Sequence, residues 1–223
     1  MNLTKELIAQ AFPEPVPDDR AAMPLLTQEE ILASRSAFLN PVPPDQDVWL
    51  FAYGSLMWKP EMEFVEQRMV RLLGWHRRFC LWQWRYRGTK EQPGLMMALD
   101  RGGSCVGVAY RIAAPGVSDK LAKVWEREMI GKAYQPKWVK LRSEHELIDA
   151  ITFVADAHSH RYAGRLDEDL IATHIATACG HIGPNAEYLL ETFSRCRQMG
   201  IRDRMLTRLE ALVAVKMTER LRR

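Results

Sequence analysis

Residues 48–60, VWLFAYGSLMWKP, carry the chain out of an apolar run and into a turn. The run up to Tyr53 has the aromatic and branched residues that fill a buried strand, and Gly54-Ser55 stops it with almost no side-chain bulk. Gly-Ser is an ordinary way to end a strand. It is also a way to offer backbone N–H groups to a ligand. The rest of the chain has to decide between these two uses.

From this stretch to about residue 155 the pattern stays mostly β. Candidate strands cover 48–53, 69–74, 77–86, 95–99, 104–112, 137–141 and 148–155, several alternating with period two and many separated by Gly or Pro. One helix interrupts them, SDKLAKVWEREMI, with Ser118 placed as its N-cap. After residue 166 the chain reads as helices over 167–179, 185–199 and 203–222, the first two stopped by Gly180 and Gly200. Strands followed by helices predict an α+β fold with a largely antiparallel or barrel-like sheet.

Residues 1–46 read as a helical arm and linker ahead of a catalytic domain at 47–223. The arm holds a helical pattern around Leu3 to Phe12, the proline-bearing FPEPVPDDRAAMP, and a second helix opened by Thr27 and Glu30 at capping-box spacing. NPVPPDQD then breaks the chain before the first strand.

A chain of 223 residues is large enough for a good core. Its 31 basic and 28 acidic residues leave a formal charge of +3, too small an excess to argue for nucleic acid. No apolar run approaches a membrane span, and the N-terminus lacks the features of a secretory signal. These readings predict a cytoplasmic protein without stable membrane association. Cys80, Cys105, Cys179 and Cys196 are widely spaced and form no C-x-x-C pair, so they read as free thiols.

The most informative residue lies in the interrupting helix. Leu121, Val124 and Trp125 define one apolar stripe, and Glu128 follows them by seven, four and three residues, in the middle of that stripe. Lys120, Lys123, Glu126 and Arg127 point elsewhere on the wheel. A carboxylate carried into an apolar interface must be paired, hydrogen-bonded or protonated, and desolvation raises its pKa toward the range useful for general acid–base work. Two readings stay open on the residues alone: a proton-transfer group, or a carboxylate that escapes to water or pairs with an arginine such as Arg78.

The ordered set FAYGSLMWKP, LLGWHRRFCL, RGTKEQPGLMMAL, GVAYRI, WEREMIGKAY and GPNAEYLLE resembles the bacterial ChaC-type γ-glutamylcyclotransferases over about residues 47–200. The resemblance implies a small mixed β-barrel flanked by helices. It also implies cleavage of the γ-glutamyl bond of glutathione to 5-oxoproline and cysteinylglycine, with no cofactor and no metal. It places the catalytic acid–base at Glu128 and substrate contacts at Ala52, Tyr53, Gly54, Ser55 and Leu56. Tyr134 is a candidate hydrogen-bond donor to substrate, and Arg78 and Arg87 are candidates for a substrate carboxylate.

This sequence departs from the family pattern at Pro93-Gly94-Leu95, at Lys132-Ala133-Tyr134 and at Tyr162–Arg165, which leaves substrate preference open. Other γ-glutamyl amino acids or amines are the alternative substrates. The family's historical name suggests another alternative, a regulatory partner of a cation transporter. The oligomeric state is not legible. Asp156, His158 and His160 have a spacing metals can use but lack a further ligand nearby, and His174 reads as a hydrogen-bonded core histidine. The last helix is amphipathic and basic, read as a solvated face.

Overall fold

The computed structural model describes residues 2–12, 14, 16 and 25–222, so most of the proline-bearing stretch after Phe12 lies outside the described residues. The chain divides into two compact units, one from 24–78 and 98–159 and the other from 1–23, 79–97 and 160–223.

The first unit is built on a closed barrel. Strand β1 (Val48–Ala52) pairs antiparallel with β3 (Gly94–Ile112) and parallel with β5 (Leu147–Ala155). Around the barrel the order is β1-β3-β2-β4-β5, with β2 at Glu66–Gln83 and β4 at Tyr134–Arg142. Most of β1 and the second half of β5 are buried on both faces, with Leu50, Ile151 and Phe153 almost without exposure. Helix α2 (Gln28–Leu39) starts on the expected capping box: Thr27 accepts from the Glu30 N–H while the Glu30 carboxylate accepts from the Thr27 N–H.

Two pairs of expected strands are single strands. β2 runs through Gly74 and β3 through Gly102 and Gly103, all three at positive φ. These glycines bend a strand rather than end it. The interrupting helix is likewise corrected. It breaks at Leu121 into α3 (Val117–Lys120) and α4 (Ala122–Met129). Gly116, in the left-handed region, precedes α3, and the Ser118 hydroxyl accepts a bond from Arg35 instead of capping.

The second unit holds the ends of β2 and β3 together with α1 (Lys5–Ala11), α5 (Glu168–Thr177), α6 (Asn185–Gln198) and α7 (Arg204–Leu221). Asp167 and Asp203 cap α5 and α7 through their carboxylates. Gly200 follows α6 at φ 74°, as a helix stop requires. Gly180 does not stop α5. That helix ends at Thr177, and Cys179–Gly180 (β6) pairs with Gly183–Pro184 (β7). His174 donates from Nδ1 to the Pro93 carbonyl at 3.0 Å and sits edge-on to Trp82, as a core histidine should. Among the described residues no helix is long and apolar enough to cross a membrane.

Candidate active site

The turn after β1 is held by its carbonyls. Buried Arg77 donates from Nε to the Tyr53 carbonyl at 2.6 Å and from Nη2 to the Val106 carbonyl, also at 2.6 Å. The Tyr53 hydroxyl donates to the Phe153 carbonyl at 2.9 Å. The Gly54 carbonyl then accepts from the Met57 N–H at 2.9 Å, opening a 3₁₀ turn over Ser55–Met57. The Tyr110 hydroxyl fixes the far end through the Met57 carbonyl at 2.7 Å. This pattern occupies acceptors and leaves the N–H groups of Ser55 and Leu56 without a partner inside the turn.

Ala52 and the Leu56 side chain are buried, so they offer backbone rather than side chain. Opposite, β3 must pass close. A Cβ on Gly107 would stand 2.3 Å from the Ala52 carbonyl oxygen and 2.7 Å from the Phe51 ring. Only glycine fits this approach, which accounts for the first residue of GVAYRI.

Helix α4 presents the apolar face read from its spacing. Leu121, Val124 and Trp125 are fully buried. The Trp125 ring lies 5.3 Å from Phe38 and 5.2 Å from Phe153, and its N–H donates to the Ser34 hydroxyl at 3.2 Å. This clamp fixes the rotation of the helix and hence the direction of Glu128, whose side chain is 12% exposed. Burial pushes the Glu128 carboxyl up to about 7; the Arg127 charge opposes that shift and the Glu61 charge adds to it. Such a carboxyl exchanges a proton near neutral pH.

Arg127 does not face away from the site, as its wheel position suggests. Its Nη2 donates to the Ser55 hydroxyl, and Nη1 reaches the Glu61 carboxylate at 3.2 Å and the Lys59 carbonyl at 3.3 Å. Its Nε stands 3.5 Å from Glu128 Oε1. Among the described residues this is the one polar partner of the Glu128 carboxylate. Glu61 has the left-handed φ of 54° and also meets Lys59 Nζ at 3.1 Å. Burial works to raise the Glu61 carboxyl, but the bonds from Lys59 and Arg127 hold it below its ordinary value. The turn and Glu128, far apart in sequence, thus meet through one guanidinium. No spacing rule pointed to Arg127 or Glu61; the only signal was their charge beside residues already singled out.

The remaining candidates are placed as follows. Tyr134 opens β4 opposite Ala155 with its side chain buried. Arg78 pairs with Asp100 at 2.8 Å rather than with Glu128, and in the other unit Arg87 pairs with Glu187 at 3.0 Å. Asp156 accepts from the His158 N–H within a turn, and His160 stacks on Trp84. Cys80, Cys105 and Cys196 are buried, Cys179 is partly exposed, and all four are free thiols.

A buried carboxyl beside a turn whose Ser55 and Leu56 N–H groups have no partner within it, on a closed five-stranded barrel, is chemically suited to acid–base acyl transfer. A family model described as ChaC-like protein matches residues 48–216, and the chain belongs to that family. It is 40% identical over 193 residues to the glutathione-specific γ-glutamylcyclotransferase of Escherichia coli (strain K12), covering 86% of this chain and 83% of that one. It is 34% identical over 150 residues to glutathione-specific γ-glutamylcyclotransferase 1 of Mus musculus, covering 65% of this chain and 67% of that one. Among solved structures, a γ-glutamyl cyclotransferase specific to glutathione from yeast matches with a TM-score of 0.67 at 20% identity, over 77% of this chain and all of that one. That likeness confirms the fold.

Proposed function

We propose that this enzyme cleaves the γ-glutamyl bond of glutathione by intramolecular aminolysis, with Glu128 as its proton carrier. The substrate's α-amine attacks its own γ-carbonyl carbon, forming the new C–N bond of a five-membered lactam. The bond from that carbon to the cysteine nitrogen then breaks, releasing 5-oxoproline and cysteinylglycine. No water enters. With both reacting groups in one molecule, the task of the protein is to hold a near-attack conformer and move one proton. Glu128 takes it from the attacking amine and returns it to the departing nitrogen. A carboxyl poised near 7 can serve both steps.

The observation that carries this reading is the carboxyl itself, 12% exposed on an apolar helix face and bridged by Arg127 to the turn. The segment Ala52, Tyr53, Gly54, Ser55 and Leu56 binds the substrate, its loop Tyr53–Leu56 offering backbone N–H groups to the substrate's carboxylate or to the oxyanion that develops on the γ-carbonyl. Tyr134 offers a side-chain hydrogen bond to substrate. Residues 47–223 form the catalytic domain on this reading, and 1–46 an arm and linker. The enzyme works in the cytoplasm on a small-molecule substrate, with no cofactor, no nucleic acid and no stable membrane association.

The test is mass spectrometry of 5-oxoproline and cysteinylglycine after mixing purified protein with glutathione, with Glu128→Gln in parallel and γ-glutamylalanine as the competing substrate. Both products are expected from glutathione, with turnover reduced roughly 10²–10⁴-fold in the variant. Product from γ-glutamylalanine alone would move the substrate, and near-normal turnover of Glu128→Gln would remove that residue from the mechanism.

A further inference from the structure

We propose that Arg127 is a positioning residue that clasps the Gly54–Ser55 turn to Glu128, and that Glu61 is the counter-charge that sets how strongly Arg127 acts on that carboxylate. The inference rests on Glu128 as the proton carrier, and it assigns roles to two residues that neither the helical spacing nor the motif brought forward.

The geometry is that of a fork. One planar guanidinium directs Nη2 to the Ser55 hydroxyl, Nη1 to Lys59 and Glu61, and Nε to Glu128. These contacts lie on three pieces of the chain: the turn, the loop directly beyond it, and helix α4, which follows only after β2, β3 and α3. A lysine ammonium at the end of a flexible stem cannot fix three directions at once, so the arrangement asks for arginine in particular. By accepting from Arg127, the Ser55 oxygen also leaves its own O–H to point away from the guanidinium, as a donor.

Glu61 carries a second, independent mark. A non-glycine residue in the left-handed region costs about 1–2 kcal/mol, yet Glu61 adopts φ 54° and thereby brings its carboxylate onto Arg127. Local strain of this kind clusters where a site needs a group in one place. The consequence is a graded charge. An isolated Arg127 would hold Glu128 ionised; shared with Glu61, it acts more weakly, and burial then leaves the carboxyl able to exchange its proton near 7.

Several of the other charged groups around α4 have partners of their own. Lys59 meets Glu61, and Glu126 accepts from Gln28. Glu30 sits in the cap of α2, where Lys132 acts on it, and Arg35 donates to Ser118. From β4, Lys140 pairs with Asp149.

The experiment is the pH dependence of kcat and of kcat/KM on glutathione for the wild type, Arg127→Gln, Arg127→Lys and Glu61→Gln, with Glu128→Gln alongside. Arg127→Gln is expected to lower kcat about tenfold to a hundredfold, the worth of a charge-assisted bond, and to move the acid limb to higher pH. Glu61→Gln is expected to move the same limb to lower pH. Arg127→Lys, keeping the charge without the fork, should lose kcat while its limb stays nearer the wild type. A purely structural role would not produce limb shifts of opposite sign.

Unshifted limbs, or shifts in one direction for both residues, with Glu128→Gln inactive, would overturn this inference and leave the proton carrier standing. If Arg127→Gln does not fold, an unchanged or raised limb in Glu61→Gln is enough to overturn it. Wild-type turnover by Glu128→Gln would remove the proton carrier and this inference with it.

Discussion

In the helical unit, Asn185 is completely buried, and both ends of its amide are used on one residue. Its Oδ1 accepts from the Leu95 N–H at 2.8 Å and its Nδ2 donates to the Leu95 carbonyl at 2.9 Å. Glu210, also buried there, accepts from the Leu3 N–H. In the barrel unit, Glu128 is only slightly more exposed, but among the described residues it has no backbone donor and meets a shared guanidinium at 3.5 Å. The first arrangement satisfies a buried polar group and freezes it. The second leaves a buried acid under-supported, so that its protonation state is easily changed. Asn185 lies in GPNAEYLLE and Leu95 in EQPGLMMAL, blocks that resemble the family as clearly as WEREMIGKAY does. Resemblance marks all three blocks; only the way the polar atoms are partnered separates the stitching from the chemistry.

The largest expected effects test that separation directly. Below its unfolded pKa of about 4.5, Glu128 is protonated in both states and adds no pH dependence. As pH rises from there toward 7, the unfolded chain releases its proton while the folded one keeps it, so the folded state loses stability. Above about 7 the loss is complete, on the order of 3 kcal/mol. Glu128→Gln is therefore expected to melt higher than the wild type at pH 8 and nearly with it at pH 4, while losing turnover. Asn185→Ala should do the reverse. Leaving the Leu95 N–H and carbonyl unpartnered should cost about 2–4 kcal/mol, with kcat per folded molecule close to wild type. Thermal melts at the two pH values, paired with kcat, check both. If Glu128→Gln melts lower at pH 8, the carboxylate is a structural partner after all.

A smaller effect probes how the turn is held. Gly107→Ala pushes a methyl against the Ala52 carbonyl and the buried Phe51 ring. Either β1 or the ring must shift, at a cost of about 1–3 kcal/mol. Because Ala52 leads directly into Tyr53 and Gly54, we expect kcat to fall several-fold beyond the lost stability. Loss of stability alone, with kcat retained in folded protein, would show that the turn is buffered from its strand by Arg77.

Much of this was legible from residue order, and what was missed has physical causes. The capping box of α2 and the stripe Leu121, Val124, Trp125, Glu128 depend on short-range spacing, and both hold. Strand ends depend on whether a glycine breaks or bends a ladder, and that is decided by the neighbouring strands. Gly74, Gly102 and Gly103 therefore read as breaks inside β2 and β3, where they are bends. Gly180 reads as a helix stop where a small sheet forms instead. Arg127 escaped notice because a wheel places Cβ atoms, whereas a long side chain can carry its charge far from its own stem. Glu61 had only its charge next to the stretch 48–60 as a signal, since its role depends on a backbone angle that sequence does not display.

The smallest expected effect lies in the loop after α4, where this chain departs from the family pattern at Lys132. Lys132 is at φ 51°, donates its N–H to the Met129 carbonyl at 3.1 Å and accepts from the Ser159 hydroxyl at 2.7 Å. Those two backbone bonds hold the loop closed whichever residue stands there, so lysine bears a conformational cost that glycine would not. Relief of about 1–2 kcal/mol is offset by roughly 0.5–1 kcal/mol of added chain entropy in the unfolded state. The side-chain charge also acts on Glu30 in the α2 cap, a contribution Lys132→Gly gives up. The net expectation is a gain of no more than about 1 kcal/mol, a melting temperature higher by roughly 1–3 °C, and kcat within about twofold of wild type. A melting temperature that falls would mean the charge on the α2 cap outweighs the backbone angle. A kcat that rises well beyond twofold would mean that motion of this loop, and not proton transfer at Glu128, limits turnover.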